Sequence, residues 1–218
     1  MRRTFVCLAN SRKLGERCIA GVEITDFDGT NYSIIQRNSQ PKWIRPVSKR
    51  ASGAVSVGIV GKVKLLDVVN LDVISECPQG YQSENVFFDE RSLEVIGQVE
   101  RSSETLDRFR HTGLTQLFGN RGKAVHIDAI GHITTSLVLI KPTSVIFRWD
   151  AQSAKLRANF LLGRVKYDLP VTDGNFQARY YENQQEAINC SQWYFTVSLG
   201  VEYNDNFHYK LIAAVFGF

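Results

Sequence analysis

Thr4-Phe5-Val6-Cys7-Leu8-Ala9 and Cys18-Ile19-Ala20-Gly21-Val22-Glu23-Ile24-Thr25 are two apolar runs, and between them stands Asn10-Ser11-Arg12-Lys13-Leu14-Gly15-Glu16-Arg17. Branched and aromatic side chains pack well on a pleated surface, so the runs predict two strands and the polar stretch with Gly15 predicts the loop joining them. The alternation of short apolar runs and turn residues continues outward. Asp26-Phe27-Asp28-Gly29-Thr30-Asn31 is a turn signal, because Asp, Asn and Gly tolerate the backbone angles a turn needs. Trp43-Ile44-Arg45-Pro46-Val47 reads as extended, with Pro46 confining it to an edge or a strand end. Val63 to Ile74 is a longer apolar run, ended by Pro78-Gln79-Gly80. About five short strands joined by turns suit a small barrel or sandwich.

The middle of the chain changes character. Residues 89–123 are rich in Glu, Arg, Ser and Leu, and Leu106, Phe109, Leu114, Leu117 and Phe118 have helical spacing, broken by Gly113 and Gly119. From Thr135 the strand pattern returns. Leu137–Ile140, Val145–Trp149, Leu156–Leu162, Arg164–Leu169, Phe176–Tyr181, Trp193–Leu199 and Tyr209–Phe216 are separated by turns such as Asp173-Gly174-Asn175 and Asn204-Asp205-Asn206. The organisation expected is mostly β: modules over residues 1–88 and 133–218, joined by a helical connector over 89–132.

Composition bounds the function. A 44% hydrophobic content is enough to bury a core, and 11% aromatic content favours strands. The net charge of +4 is unevenly spread: +6 in residues 1–60, −4 in 61–110, +5 in 111–170 and −3 in 171–218. Basic blocks either attract polyanions or merely solvate outward faces. Cys7, Cys18, Cys77 and Cys190 form no C-x-x-C pair, which disfavours a zinc ribbon or a redox motif. Cys7 and Cys18 flank the polar stretch and read either as two small buried thiols or as a disulfide or half of a metal site. The N-terminal apolar stretch is too short for a secretory signal, and no run approaches the ~18 apolar residues of a membrane span. A cytoplasmic protein is expected, with no membrane partner.

The candidate site residues lie in three stretches of the first module. Asn10, Ser11, Arg12, Lys13 and Arg17 offer cations, an amide and a hydroxyl; a guanidinium fork matches phosphate or carboxylate oxygens. The bland alternative is a solvated hairpin. Trp43, Arg45 and Lys49 interleave a ring with cations, and such a ring either stacks a base or caps the core. Gln82, Glu84 and Asn85 follow the Pro-Gly turn, where amides either read a base edge or pin the loop. His111, His126, His132 and His208 are dispersed, and no nucleophile elbow, zinc-protease motif, phosphate loop or dinucleotide glycine run is present. The chain is read as non-enzymatic, with no cofactor and no metal.

Several segments together resemble a family of prokaryotic proteins with two oligonucleotide-binding (OB) barrels in one chain. They are Cys7–Lys13, Gly15–Gly21, Trp43–Ser48, Leu66–Val69, the Pro78, Gln82, Glu84-Asn85 cluster, Leu169–Asp173, Val197–Gly200 and Tyr209–Val215. The resemblance implies two OB-like barrels and a binding role, for single-stranded nucleic acid or a nucleotide, in genome-defence systems. An effector protein is the other partner it implies, docked by the barrels or the acidic stretch 76–107. The chain departs from the family pattern at Val201-Glu202 and at Gly174, which puts the weight on the first barrel.

Overall fold

The computed structural model describes every residue except Leu14, Ala51 and Ser52, together with the side chain of Lys13. The chain divides into two compact units, Met1–Phe109 and Arg110–Phe218. Both are OB-like.

In the first unit the barrel strands are β1 (Arg2–Lys13), β2 (Glu16–Thr25), β3 (Trp43–Val47), β4 (Asp67–Glu76) and β5 (Asn85–Phe88), with a one-turn helix α1 (Val57–Val60) between β3 and β4. Strand β1 pairs antiparallel with β2 and with β4. Strand β3 pairs with β2, and parallel with β5 through Arg45↔Asn85, Pro46↔Val86 and Val47↔Phe87. The β4–β5 pairing completes the ring. Such closure leaves the five strands no free edge. Alternate residues point inward, so Phe5, Ile19, Ile44, Val69, Leu71 and Val86 fill the barrel. Gly21 sits opposite Cys7 and Ile44, where a Cβ would lie 1.9 Å from the Val6 carbonyl oxygen. The chain passes so closely there that only glycine fits.

Two expectations change in this unit. Asn10–Lys13 is not loop: β1 runs on to Lys13, and the ladder continues through Asn10↔Ile19, Ser11↔Cys18, Arg12↔Arg17 and Lys13↔Glu16. The register shifts between Cys7 and Ala9, and beyond that irregularity the polar residues continue the ladder. Residues 89–109 also belong to this unit: Glu94–Gln98 forms a strand, β6, on β4, and only Ser103–Phe109 is α-helical (α2).

The second unit repeats the order. After a short strand β7 (Ala124–His126) come β8 (Leu137–Ile140) and β9 (Thr143–Asp150), two halves of one strand bent at Lys141-Pro142. Then follow β10 (Lys155–Leu162), β11 (Val165–Pro170), helix α3 (Gly174–Glu182), β12 (Trp193–Glu202) and β13 (Phe207–Gly217). Strands β9, β10 and β11 form one meander, while β7, β13, β12 and β8 form a second sheet. The two sheets meet at the parallel bridge Val171↔Ile212, where Thr172 N–H also donates to the Ile212 carbonyl at 2.8 Å, and together they make a half-barrel. Its core is aromatic, with the Phe147 ring 4.7 Å from Phe176, 5.0 Å from Trp193 and 6.0 Å from Phe195.

Phe176–Tyr181, expected as a strand, is helical. Asp173 decides this: its Oδ1 accepts hydrogen bonds from the backbone N–H groups of Asn175 and Phe176, each at 3.0 Å, which caps the first turn. Its Oδ2 accepts from Val215 N–H at 3.0 Å and ties the helix start to β13. Phe176 and Tyr180, four apart, then face the core. The helical spacing read through Leu114, Leu117 and Phe118 also fails: α2 stops at Phe109, and Leu117 is buried in the second unit without being helical. Among the described residues no helix is long and apolar enough to cross a membrane.

Candidate nucleic-acid interface

On the first barrel the chain brings the predicted residues into two groups. In the first, the β1–β2 hairpin, Asn10 shares a face with its core-facing partner Ile19. It is buried, and its Nδ2 donates to the Val63 carbonyl at 2.8 Å. Ser11 is buried on the opposite face, Arg12 is exposed and Arg17 half-buried. Arg17 exchanges backbone hydrogen bonds with Val55, at 3.1 and 2.9 Å. The Lys13 side chain lies outside the described residues. The second group joins β3 to the turn before β5. Arg45 Nη2 lies 2.7 Å from Glu84 Oε1, with side-chain exposures of 12% and 2%, and Arg45 N–H donates to the Glu84 carbonyl at 2.8 Å. Asn85 Nδ2 donates to Gln82 Oε1 at 3.2 Å, both residues being buried. Trp43 is only 5% exposed, so its ring packs inside and presents no stacking face. Lys49 is exposed, 5.9 Å from the Phe87 ring centroid.

Most of these polar groups therefore hold the barrel together. Arg45, Gln82, Glu84 and Asn85 pin the β4–β5 connection, and Asn10 pins Val63. Arg12, Arg17 and Lys49 are left as cations at the hairpin end, beside Arg50, which ion-pairs with Glu16.

The outer face of the second barrel has a different character. Strand β10 alternates strictly, with Leu156, Ala158, Phe160 and Leu162 buried. Lys155, Arg157, Asn159 and Leu161 consequently point outward, beside Arg148 and Asp150 of β9 and Lys166 and Asp168 of β11. A cleft of ≈ 580 Å³ opens here, lined by Arg121, Lys123, Arg148, Arg157 and Lys166, by Asp150 and Asp168, and by Ser153 and Tyr167. Five cations face two carboxylates. Asp168 lies between two guanidiniums, 2.7 Å from Arg148 and 2.9 Å from Arg157. Asp150 accepts from Ser153 Oγ at 2.7 Å and Gln152 N–H at 3.2 Å, caps the β9–β10 turn, and has its carboxyl held below the usual range chiefly by the Ser153 hydrogen bond. Arg121, Lys123 and Lys166 are exposed and in no ion pair among the described residues.

Two features frame the cleft. The β12–β13 turn carries Tyr203, 67% exposed, whose ring meets Tyr209 edge-on at 6.1 Å. Lys123 Nζ, a cleft residue, lies 5.9 Å from the Tyr209 ring centroid. Beneath the cleft is Lys210, 0% exposed, in line with the core residue Ile212. Burial pushes its pKa down from 10.5 to about 7.

Sequence reasoning placed its site on the first barrel and missed this cleft. The signal was the +5 block over residues 111–170, which counted the cations without showing that alternation along three strands would turn Arg148, Arg157 and Lys166 to one face beside Arg121 and Lys123.

A model of the dual OB-containing domain matches residues 3–215. No curated protein matches the chain. Among solved structures, one titled as the crystal structure of the tetrameric p202 HIN2 covers 98% of this chain and 88% of its own, at 9% identity. Its TM-score of 0.30 is too low to carry an argument. With the family model spanning both barrels almost from end to end, the chain belongs to the dual OB-containing domain family.

Proposed function

We propose that the protein is a non-enzymatic binding module for single-stranded nucleic acid, and that the cleft on the second barrel is its principal phosphate-binding surface. The observation that carries this reading is the cleft's place and charge. Five cations against two carboxylates come together from three adjacent strands and the 120–123 segment, beside the β9–β10 turn. The second and third strands of an OB barrel, with its first and last loops, are the surface on which oligonucleotides are bound. Arg121, Lys123 and Lys166 meet phosphates as free cations, while Arg148 and Arg157 are pre-oriented by Asp168. Tyr203, on the last loop, offers an exposed ring for a base.

The test is fluorescence anisotropy with labelled oligo-dT and oligo-U at low salt. Neutralising three to four phosphates gives log K against log salt a slope of about −2 to −3 for a single strand. No binding at low salt overturns the proposal. Replacing Arg12 and Lys49 by glutamate is expected to weaken binding less than replacing Lys123 and Lys166.

A second reading, a subunit that docks an effector protein, is favoured by β6. This strand ends the path of the first sheet, and its Val95 and Ile96 are 40% and 37% exposed. An exposed edge accepts an added strand. Stoichiometric co-purification of a partner unaffected by nuclease would support it.

A further inference from the structure

A lysine in the core of a barrel has to be explained, because burying an ammonium is costly unless it is well bonded. Lys210 alternates along β13 with the core residue Ile212, yet its side chain ends on the Asn120–Gly122 segment before β7. Nζ donates to the Asn120 carbonyl at 2.7 Å, to the Gly122 carbonyl at 2.8 Å and to Asn120 Oδ1 at 3.3 Å. The same Asn120 carbonyl accepts from Tyr167 Oη at 2.9 Å, and Tyr167 Oη accepts from Leu117 N–H at 2.9 Å. Lys210 N–H also donates to the Lys123 carbonyl at 2.9 Å. Every acceptor of the amine is a carbonyl oxygen, so the group serves a backbone segment and not an ion pair. That segment carries two of the cleft's cations.

We propose that Lys210 is the positioning residue of the cationic cleft: bonded to Asn120 and Gly122, it holds the 120–123 segment so that Arg121 and Lys123 face the bound polyanion. This rests on the nucleic-acid reading for its ligand. The arrangement also links binding to protons. The titratable and charged groups around the amine are Tyr167 on β11, whose ring centroid is 5.2 Å away, and Arg121 and Lys123 on the segment it holds. His208 and Tyr209 precede it on its own strand, and Lys166 and Asp168 flank Tyr167. Among the described residues no carboxylate bonds to Nζ, and Asp168 of the cleft is already paired with Arg148 and Arg157, so a polyanion laid in the cleft adds compensating negative charge near the amine. Binding therefore favours the protonated amine, and affinity falls as the pH rises through about 7.

The test uses the full chain. In Lys210→Met, which keeps the length and removes the donors, amides of residues 117–123 are read by hydrogen exchange without ligand. Exchange is expected to speed up at least ~10-fold there relative to the rest of the unit. Affinity for oligo-dT is expected to fall roughly 10-fold, and the pH dependence of the wild-type chain between about pH 6 and about pH 8.5 to flatten. Tyr167→Phe, which removes one donor from Asn120 and leaves the amine, is expected to loosen the same amides less and to keep the pH dependence. A folded Lys210→Met chain with unchanged exchange and an unchanged pH profile overturns the proposal. Should Lys210→Met not fold, wild-type affinity that is flat with pH overturns it, and affinity that falls with pH supports it. Failure of the wild-type chain to bind oligo-dT sinks the nucleic-acid reading, and the exchange experiment still judges the clamp.

Discussion

Removing Glu84 separates a structural role for Arg45 from a ligand-binding one. The Glu84 carboxylate is 2% exposed and 2.7 Å from Arg45 Nη2, whose side chain is 12% exposed. Losing one member of a well-buried pair costs ~3–5 kcal/mol, because it leaves a charge without its partner. Arg45 keeps some access to water, so Glu84→Leu is expected to destabilise the first unit by about 3 kcal/mol. Arg45→Met strands the more deeply buried carboxylate and is expected to cost about 4 kcal/mol. The double replacement Arg45→Met/Glu84→Leu removes both charges and is expected to lie within ~1–2 kcal/mol of the wild type, giving a coupling energy of several kcal/mol. The assay is denaturant unfolding read by peptide-level hydrogen exchange, which follows residues 1–109 and 110–218 separately. Oligonucleotide affinity is expected to stay within about twofold in the folded double variant, well under 1 kcal/mol. Additive single effects, or a stable double variant that no longer binds, would refute the assignment of this pair to structure.

Gly21→Ala places a Cβ 1.9 Å from the Val6 carbonyl oxygen and 2.5 Å from Phe5 Cδ2, so the first barrel is expected to lose about 2–3 kcal/mol in the same unfolding assay. Asp173→Ala leaves three backbone N–H groups without their acceptor and is expected to cost the second unit about 2–4 kcal/mol, with α3 fraying first in hydrogen exchange. Burial lowers His111 from 6.5 to about 4, and its Nδ1 accepts from Leu139 N–H, so the folded chain holds the neutral ring. The unfolded chain binds the extra proton, so stability is full above about pH 6.5, falls by up to about 3 kcal/mol as the pH drops from there to about 4, and levels off below. His111→Gln should flatten that limb of an acid titration. Lys210 gives the opposite limb. Its amine is lowered from 10.5 to about 7, so the unfolded chain holds more protons between those values and the second unit gains stability as the pH rises from about 7 toward 10. Lys210→Met should abolish that rise.

The barrels were legible from the sequence because strand periodicity and turn chemistry are local. Thr4–Ala9, Cys18–Thr25 and the run Leu156–Leu162 announce themselves by composition and alternation. Where reading failed, a capping side chain or the backbone pairing overrode the local pattern. Asp173 turned an aromatic-rich segment into a helix by capping it, and beyond the register shift near Cys7 the pairing with β2 carried Asn10–Lys13 on as strand. The candidate site was less legible. The amides and ions at Arg45, Gln82, Glu84 and Asn85 bond to one another, and only three-dimensional contact distinguishes a pinned loop from a binding one. The cations of the second-barrel cleft are Arg121 with Lys123, Arg148, Arg157 and Lys166, five residues on four segments. Their convergence follows from strand register, which the chain's composition does not contain.

The central claim is tested most directly by titrating one labelled oligo-dT with the wild-type chain and with Arg121→Glu/Lys123→Glu/Lys166→Glu. All three side chains are exposed and outside any described ion pair, so the fold is expected to survive. Wild-type binding is expected with a salt slope of about −2 to −3, and the variant is expected to bind at least ~100-fold more weakly with a markedly shallower slope. Equal affinity and equal slope for the two chains would contradict it.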